Sequence, residues 1–368
     1  MGGCHSSAPL GKREGEENVR YVVDEDGWMS PNAVRRMASL YSRRGKKGPN
    51  QDSAIFCQGY GVEDGVFCGV FDGHGRNGHR VSKVVRDRLP SLLLDHRNAL
   101  LLSDEDHDSD AESSEDFDDS SISSPEMFDE WKEACVSAFK AMDKELGMDA
   151  DLECRCSGTT AVTIIKQGKD LIIANLGDSR AVLGTLSEEG DLLVVPLTTD
   201  LKPSLPHEAE RIKRNNGRIF ALRDEPDIAR VWLPDDDYPG LAMARAFGDF
   251  QLKKYGVISV PQVSYRRLTA RDQFIVLATD GVWDVLTNEE VVAIVWSAET
   301  REEASKAVAE AAARAWRHKF PSSRVDDCSA VCLFLQDWEQ DFSVGSSEGR
   351  WQLGSPARSS SLLRCICS

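Results

Sequence analysis

The sequence predicts an α+β domain in which antiparallel sheets are covered by helices. Short β-rich runs at 53–58, 66–71, 160–166, 170–174, 192–197, 274–279 and 329–335 are interspersed with amphipathic segments at 80–94, 127–146, 207–215, 288–296 and 301–319. The strands also come in neighbouring pairs, as at 160–166 with 170–174, where a doubly wound parallel sheet would put a helix between one strand and the next. With 368 residues, 41% of them hydrophobic, the chain has enough apolar surface for a large core.

Taken in order, residues 1–39 read as a flexible polar arm, ending in a helix that Ser30 caps and Pro31 enters in its first turn. Residues 40–337 read as the folded domain. Between its first two helices lies an Asp/Ser block at 103–124 with almost no apolar content, which predicts a solvated, disordered loop. After Asp337 the composition turns to Ser, Gly and Arg, so 338–368 read as a disordered tail. No internal repeat is present.

Charge and cysteine usage exclude some classes. The formal charge is −17, from 44 Lys and Arg against 61 Asp and Glu, the wrong sign for neutralising nucleic-acid phosphates. Ten of the acids fall between Ser103 and Asp119, a stretch with no Lys or Arg, so the rest of the chain is only mildly acidic. No apolar stretch approaches the ~20 residues needed to span a bilayer, and there is no hydrophobic signal core, which predicts a cytosolic protein. Cysteines scattered singly in apolar runs, such as Cys57, Cys68, Cys135 and Cys332, suit a reducing compartment. Cys154 and Cys156 form a C-x-C pair without the second pair a zinc finger needs.

The most informative pattern is a set of aspartates where apolar runs stop. The run 66–71 ends in Asp72-Gly73-His74-Gly75, and 274–279 ends in Asp280-Gly281. In each, a buried strand delivers a carboxylate to a sheet edge, and the next Gly lets the backbone turn and bring its carbonyl to the same point. Asp52 opens a strand, Asp326-Asp327 precede another, and Asp178 closes Ala174-Asn175-Leu176-Gly177-Asp178. Converging carboxylates repel unless cations neutralise them, and oxygen-only donors suit Mg²⁺ or Mn²⁺ in preference to Zn²⁺. Two such ions ~4 Å apart can hold a hydroxide for in-line attack on phosphorus.

Six ordered motifs carry a resemblance to the type 2C protein phosphatases. They are Phe71-Asp72-Gly73-His74-Gly75, Ser157-Gly158-Thr159-Thr160-Ala161, Asn175-Leu176-Gly177-Asp178-Ser179-Arg180, Arg245-Ala246-Phe247-Gly248-Asp249, Ala278-Thr279-Asp280-Gly281-Val282-Trp283-Asp284 and Asp326-Asp327-Cys328-Ser329. The variants Asn50-Gln51-Asp52 and Asp326-Asp327-Cys328 resemble the plant branch. The resemblance implies two central antiparallel β-sheets in a sandwich flanked by α-helices (α-β-β-α). It implies a protein serine/threonine phosphatase, acting as a monomer on phosphorylated proteins, in which a hydroxide bridging two Mg²⁺ or Mn²⁺ ions attacks phosphorus directly. Asp72 would bridge the ions, the Gly73 carbonyl would join one, and Asp280 and Asp326 would hold the other, with Asp327 the second choice for Asp326. Asp52 would orient water, Asp178 would serve a weaker third metal, and His74 would protonate the leaving oxygen. The segment 198–238 is similar to the family's flap beside the site.

Two positions depart from the common family pattern. Gln51 stands where many members have Glu, so it accepts a hydrogen bond without contributing charge and weaker metal affinity is expected. Lys47 stands where many have Arg to clamp the substrate phosphate, and a point charge binds phosphate without the bidentate fork. These two support the competing reading of a weak pseudophosphatase, and a membrane-tethered scaffold that binds phosphoproteins is compatible with either reading. Met1-Gly2-Gly3-Cys4-His5-Ser6 fits N-myristoylation at Gly2, with Cys4 placed for palmitoylation, and predicts attachment to the cytosolic face of a membrane, the plasma membrane for preference. The C-terminal Cys365-Ile366-Cys367-Ser368 matches a prenylation box only loosely, because Cys367 stands where an aliphatic residue is expected.

Overall fold

The structure is a computed structural model that describes residues 18–22, 37–105, 124–322 and 324–336. The chain forms β1 (Val19–Val22), β2 (Ala38–Arg43), β3 (Asp52–Gln58) and β4 (Val66–His74), then two long helices, α1 (Gly78–Glu105) and α2 (Ser124–Met148). The short β5 (Gly158–Thr159) leads into β6 (Ala161–Gln167), β7 (Asp170–Leu176), β8 (Arg180–Leu186) and β9 (Leu192–Pro196). An excursion follows, built from α3 (Pro206–Arg214), β10 (Arg218–Leu222), β11 (Glu225–Trp232) and β12 (Pro239–Leu241). The chain returns through β13 (Phe247–Gly248), α4 (Phe250–Lys253), β14 (Gln262–Arg267) and β15 (Asp272–Ala278). It closes with α5 (Asp280–Trp283), α6 (Asn288–Trp296), α7 (Arg301–Lys319) and β16 (Cys328–Phe334).

One sheet has the order β1-β3-β4-β6-β7-β14, with β5 and β13 attached beside β4, and another has the order β2-β16-β15-β8-β9. The central strands, such as β3, β4, β6 and β15, are buried on both faces, which explains why their runs read as continuously apolar. Ile55 and Phe67 face a cluster with Val85, Leu89, Trp131 and Phe139 of α1 and α2. Their neighbours Phe56 and Cys68 face inward, packing with Leu183, Ile275, Leu277 and Val331 of the second sheet. On the outer side of that sheet, Phe274 and Val276 pack with Val292 of α6 and Val308, Ala312 and Trp316 of α7. Period-two alternation between two apolar surroundings therefore generates helix, sheet, sheet, helix as four layers. The excursion has its own small core of Ile212, Val231, Leu241 and Met243.

The structure corrects several boundaries. The arm at 1–39 contributes an edge strand: β1 pairs in parallel with β3, and the Asn18 carbonyl accepts from Ala54 N at 2.8 Å. Its short, half-exposed sequence gives no local signal, because its pairing partner supplies the register. β2 begins two residues before the expected domain start, and β8, β10, β11, β12 and β14 went unpredicted. α1 extends into the acidic block as far as Glu105 and α2 starts at Ser124, while 106–123 lie outside the described residues. The helix expected at Ser30, the N-terminal lipidation motif and the tail from Asp337 also lie outside them. Among the described residues no helix is long and apolar enough to cross a membrane.

Candidate active site

The site forms where strands of both sheets end. In the β3–β4 ladder Asp52 sits directly opposite Asp72, and β15 delivers Thr279 and then Asp280 to the same end. The backbone of Asp72 is clamped on both sides by Thr160, which receives its N–H on Oγ1 at 3.0 Å and donates N–H to its carbonyl at 2.9 Å. The Asp72 and Asp280 carboxyls stand close enough to perturb each other. Burial pushes both carboxyls well above the usual carboxylate range, and repulsion adds to it, from Asp52, Asp280 and Asp326 on Asp72 and from Asp178, Asp284 and Asp326 on Asp280.

Asp52 is fully buried and accepts a 2.9 Å hydrogen bond from Thr279 Oγ1, which in turn accepts from Ser329 N at 3.2 Å. Burial first, and then repulsion by Asp327, raise its pKa to about 8. The adjacent acids Asp326 and Asp327 divide their tasks. Both oxygens of Asp327 accept backbone N–H groups, from Gly45 at 2.7 Å and Gln51 at 2.8 Å, whereas Asp326 accepts the Asp327 N–H on Oδ1 at 3.0 Å and offers Oδ2 to a lysine. Lys47 Nζ pairs with Asp326 and lies 5.8 Å from the centre of the Trp316 ring. Gln51 donates its side-chain N–H to the Gly75 carbonyl at 2.7 Å and so closes the rim of the loop.

Two glycines are required by contact. A Cβ on Gly73 would stand 2.3 Å from the Gly78 carbonyl oxygen and 2.6 Å from that of Gln51, and one on Gly281 would stand 1.8 Å from that of Asp327. Bare backbone lets the three loops close around the acids.

His74 pairs through Nε2 with Asp249 Oδ2 at 2.6 Å, while its buried Nδ1 has no partner. Burial pulls the imidazole pKa down, but the Asp249 charge and hydrogen bond, with Asp178 behind them, raise it above its ordinary value. Asp249 is itself buried, in a left-handed conformation with φ 49°. Gly158 makes room, since a Cβ there would lie 2.4 Å from Asp249 Oδ2 and 2.8 Å from His74 Nε2. Asp249 belonged to a recognised motif, yet nothing in the chain marked it as the partner of His74, 175 residues away.

A second acidic group adjoins the first. Asp178 is buried with Oδ1 unpartnered, and burial raises its pKa to about 6 against the pull of Lys202. Lys202 Nζ is 3.9 Å from Asp284, and Asp200 is held bidentately by Arg180. Asp284 and Lys202 had no assigned role in the sequence reading; Asp284 lies one helical turn after Asp280, a spacing that could have exposed it. The donor set is hard oxygen throughout, and its mutual repulsion and the orphaned Asp178 oxygen fit divalent cations of the Mg²⁺ or Mn²⁺ type. Among the described residues, however, no three acid, His or Cys side chains are already gathered around one point as a formed metal site.

The comparisons agree with this geometry. Residues 42–319 match the family model "Protein phosphatase 2C". "Probable protein phosphatase 2C 12" of Oryza sativa subsp. japonica is 56% identical over 358 residues, covering 92% of each chain. "Probable protein phosphatase 2C 33" of Arabidopsis thaliana is 50% identical, covering 88% of this chain and 74% of that protein. The crystal structure of serine-threonine phosphatase 2C from Toxoplasma gondii superposes with a TM-score of 0.69 at 27% identity, covering 81% of this chain and 94% of that one. The fold and site define a metal-dependent protein serine/threonine phosphatase. The chain belongs to the protein phosphatase 2C family, in its plant branch.

Proposed function

We propose that this phosphatase hydrolyses phosphoserine and phosphothreonine in proteins by direct attack of water, with no covalent phosphoenzyme. Asp72, the Gly73 carbonyl, Asp280 and Asp326 would hold two Mg²⁺ or Mn²⁺ ions, and Asp178 with Asp284 a weaker third. When bound, such ions supply a water acidic enough to act as nucleophile near neutral pH and offset the charge of the phosphoryl group. Asp52, held by Thr279, orients that water. Lys47 stands at the mouth of the cluster, where its ammonium can reach a phosphate oxygen. His74, held in place by its pair with Asp249, carries the proton for the leaving serine or threonine oxygen.

The observation that carries the reading is the His74–Asp249 pair beside the Asp72, Asp280 and Asp326 carboxylates. The experiment is phosphate release from a phosphothreonine peptide in Mn²⁺ or Mg²⁺. Turnover that stops in chelator and returns with either ion is expected; turnover indifferent to chelator would refute the reading.

Lipid attachment through Gly2 and Cys4, and with it residence at a cytosolic membrane face, is also proposed. It rests on the N-terminal hexapeptide alone, and one acyl chain binds membranes only marginally, so the second should decide stable attachment.

A further inference from the structure

Although the chain is strongly acidic, residues 37–51 and 311–325 contain no Asp or Glu. The fold brings these two stretches together beside the catalytic carboxylates. Lys46 N donates to the Val325 carbonyl at 2.7 Å and Gly45 N to Asp327 at 2.7 Å. Arg44 Nε donates to the Gly48 carbonyl at 2.7 Å and closes the loop on itself. A Cβ on Gly45 would meet the Val325 carbonyl oxygen at 2.3 Å, so the loop is seated directly on the backbone before Asp326. From α7, Trp316 Nε1 donates to the Gly281 carbonyl at 2.7 Å, which fixes the basic last turn of that helix next to Asp280.

Arg44, Lys46, Arg317 and Arg324 are exposed here, and among the described residues none pairs with a carboxylate. We propose that this rim binds anionic groups flanking the phosphoserine or phosphothreonine of a substrate, so that the enzyme selects acidic phosphopeptides. The inference rests on the phosphatase reading and deepens it. Cations held on an anchored loop lose little entropy when they meet a partner, and exposed charges of one sign beside a site act mainly on encounter and selection.

The charges facing this rim are the catalytic acids, which divalent cations would balance in the working enzyme. The acids of the excursion, Asp235, Asp236 and Asp237, stand by Tyr238, which meets Cys156 on the His74 side of the site. α1 begins against Gly73 and runs for 28 residues, about 40 Å, so Glu105 at its end lies far from this rim.

The test uses the full chain in Mn²⁺ with phosphothreonine peptides flanked by glutamate or by lysine, and with para-nitrophenyl phosphate. The parent should show kcat/KM about tenfold higher for the glutamate peptide at low salt, a preference that fades as the Debye length falls to about 3 Å near 1 M. Lys46→Glu with Arg324→Glu should abolish or reverse the preference while para-nitrophenyl phosphate turnover and melting temperature stay unchanged. If the double reversal unfolds the protein, Lys46→Gln with Arg324→Gln should give an intermediate ratio. A parent ratio near one, or a ratio that survives charge reversal with para-nitrophenyl phosphate turnover intact, would overturn the inference. So would loss of binding to phosphatidylserine vesicles in the variant with the peptide ratio unmoved, which would assign the rim to a membrane. Absence of chelator-sensitive turnover of para-nitrophenyl phosphate by the parent would instead defeat the phosphatase reading.

Discussion

Replacing Asp249 with asparagine keeps the side chain's volume and an oxygen acceptor for His74 Nε2, but removes the charge. The pair is 2.6 Å apart and Asp249 is 2% exposed. At an effective dielectric of about 20, unit charges this close attract by several kcal/mol before desolvation, enough to outweigh the burial that otherwise disfavours the imidazolium. Without the carboxylate the largest upward influence is lost, and burial pulls the ring toward its neutral form. Donated protons contribute about 10²- to 10⁴-fold to such reactions, so kcat on a phosphothreonine peptide should fall by about 100-fold or more. A nitrophenolate leaves without needing a proton, so para-nitrophenyl phosphate should lose less than about threefold. The assay is kcat over a series of phosphate esters of rising leaving-group pKa at saturating Mn²⁺, whose slope should steepen in Asp249→Asn. His74→Gln combined with Asp249→Asn should be no slower than His74→Gln alone, because the two act as a unit. Equal losses on peptide and nitrophenyl ester, or additive losses in the double variant, would refute the reasoning.

Asp72→Asn and Asp280→Asn should each abolish turnover at saturating Mn²⁺ while raising the melting temperature of the metal-free protein, read by calorimetry. The sign follows from their raised pKa values: each ionised carboxylate destabilises the fold increasingly as pH climbs past its unfolded value. Glu208→Gln should destabilise the excursion by about 3–5 kcal/mol, since this fully buried carboxylate binds Arg245 and Arg211 and both would lose their counter-charge. Burial alone would raise the Glu208 pKa, but the two guanidiniums hold it below the ordinary value. Its contribution is therefore complete above the unfolded pKa of about 4.3 and disappears as pH falls through the folded one, so denaturation midpoints should lose part of their acid dependence in Glu208→Gln. Gly2→Ala should move the protein from the membrane to the soluble fraction of a cell lysate, and Cys4→Ser should leave it only transiently attached.

Strands β3, β4, β6, β7, β9, β15 and β16 of the two central layers, the helices that cover them and the acids at strand ends were legible along the chain, whereas β2, β8 and β14 were not. Burial periodicity, Asp-Gly turns and helix caps are local properties, and each leaves its pattern within a few residues. Sequence also marked Asp72, His74, Asp178 and Asp280 as one constellation, because each follows an apolar run that has to end at a sheet edge. Edge strand β1 was not legible, since its four residues, two of them exposed, form a strand only against β3.

Tertiary structure alone decided the partnerships. His74 meets Asp249 across 175 residues, and Asp327 meets the Gly45 amide across 282. The second of these gives two adjacent aspartates different surroundings: Asp327 is tied to the backbone N–H groups of Gly45 and Gln51, and Asp326 to Lys47. The same contact seats the basic loop beside the site, although the chain as a whole is acidic. Local pattern specifies which face of a strand is buried, whereas the charge that stands beside a given carboxylate depends on which distant loop the packed core brings to it.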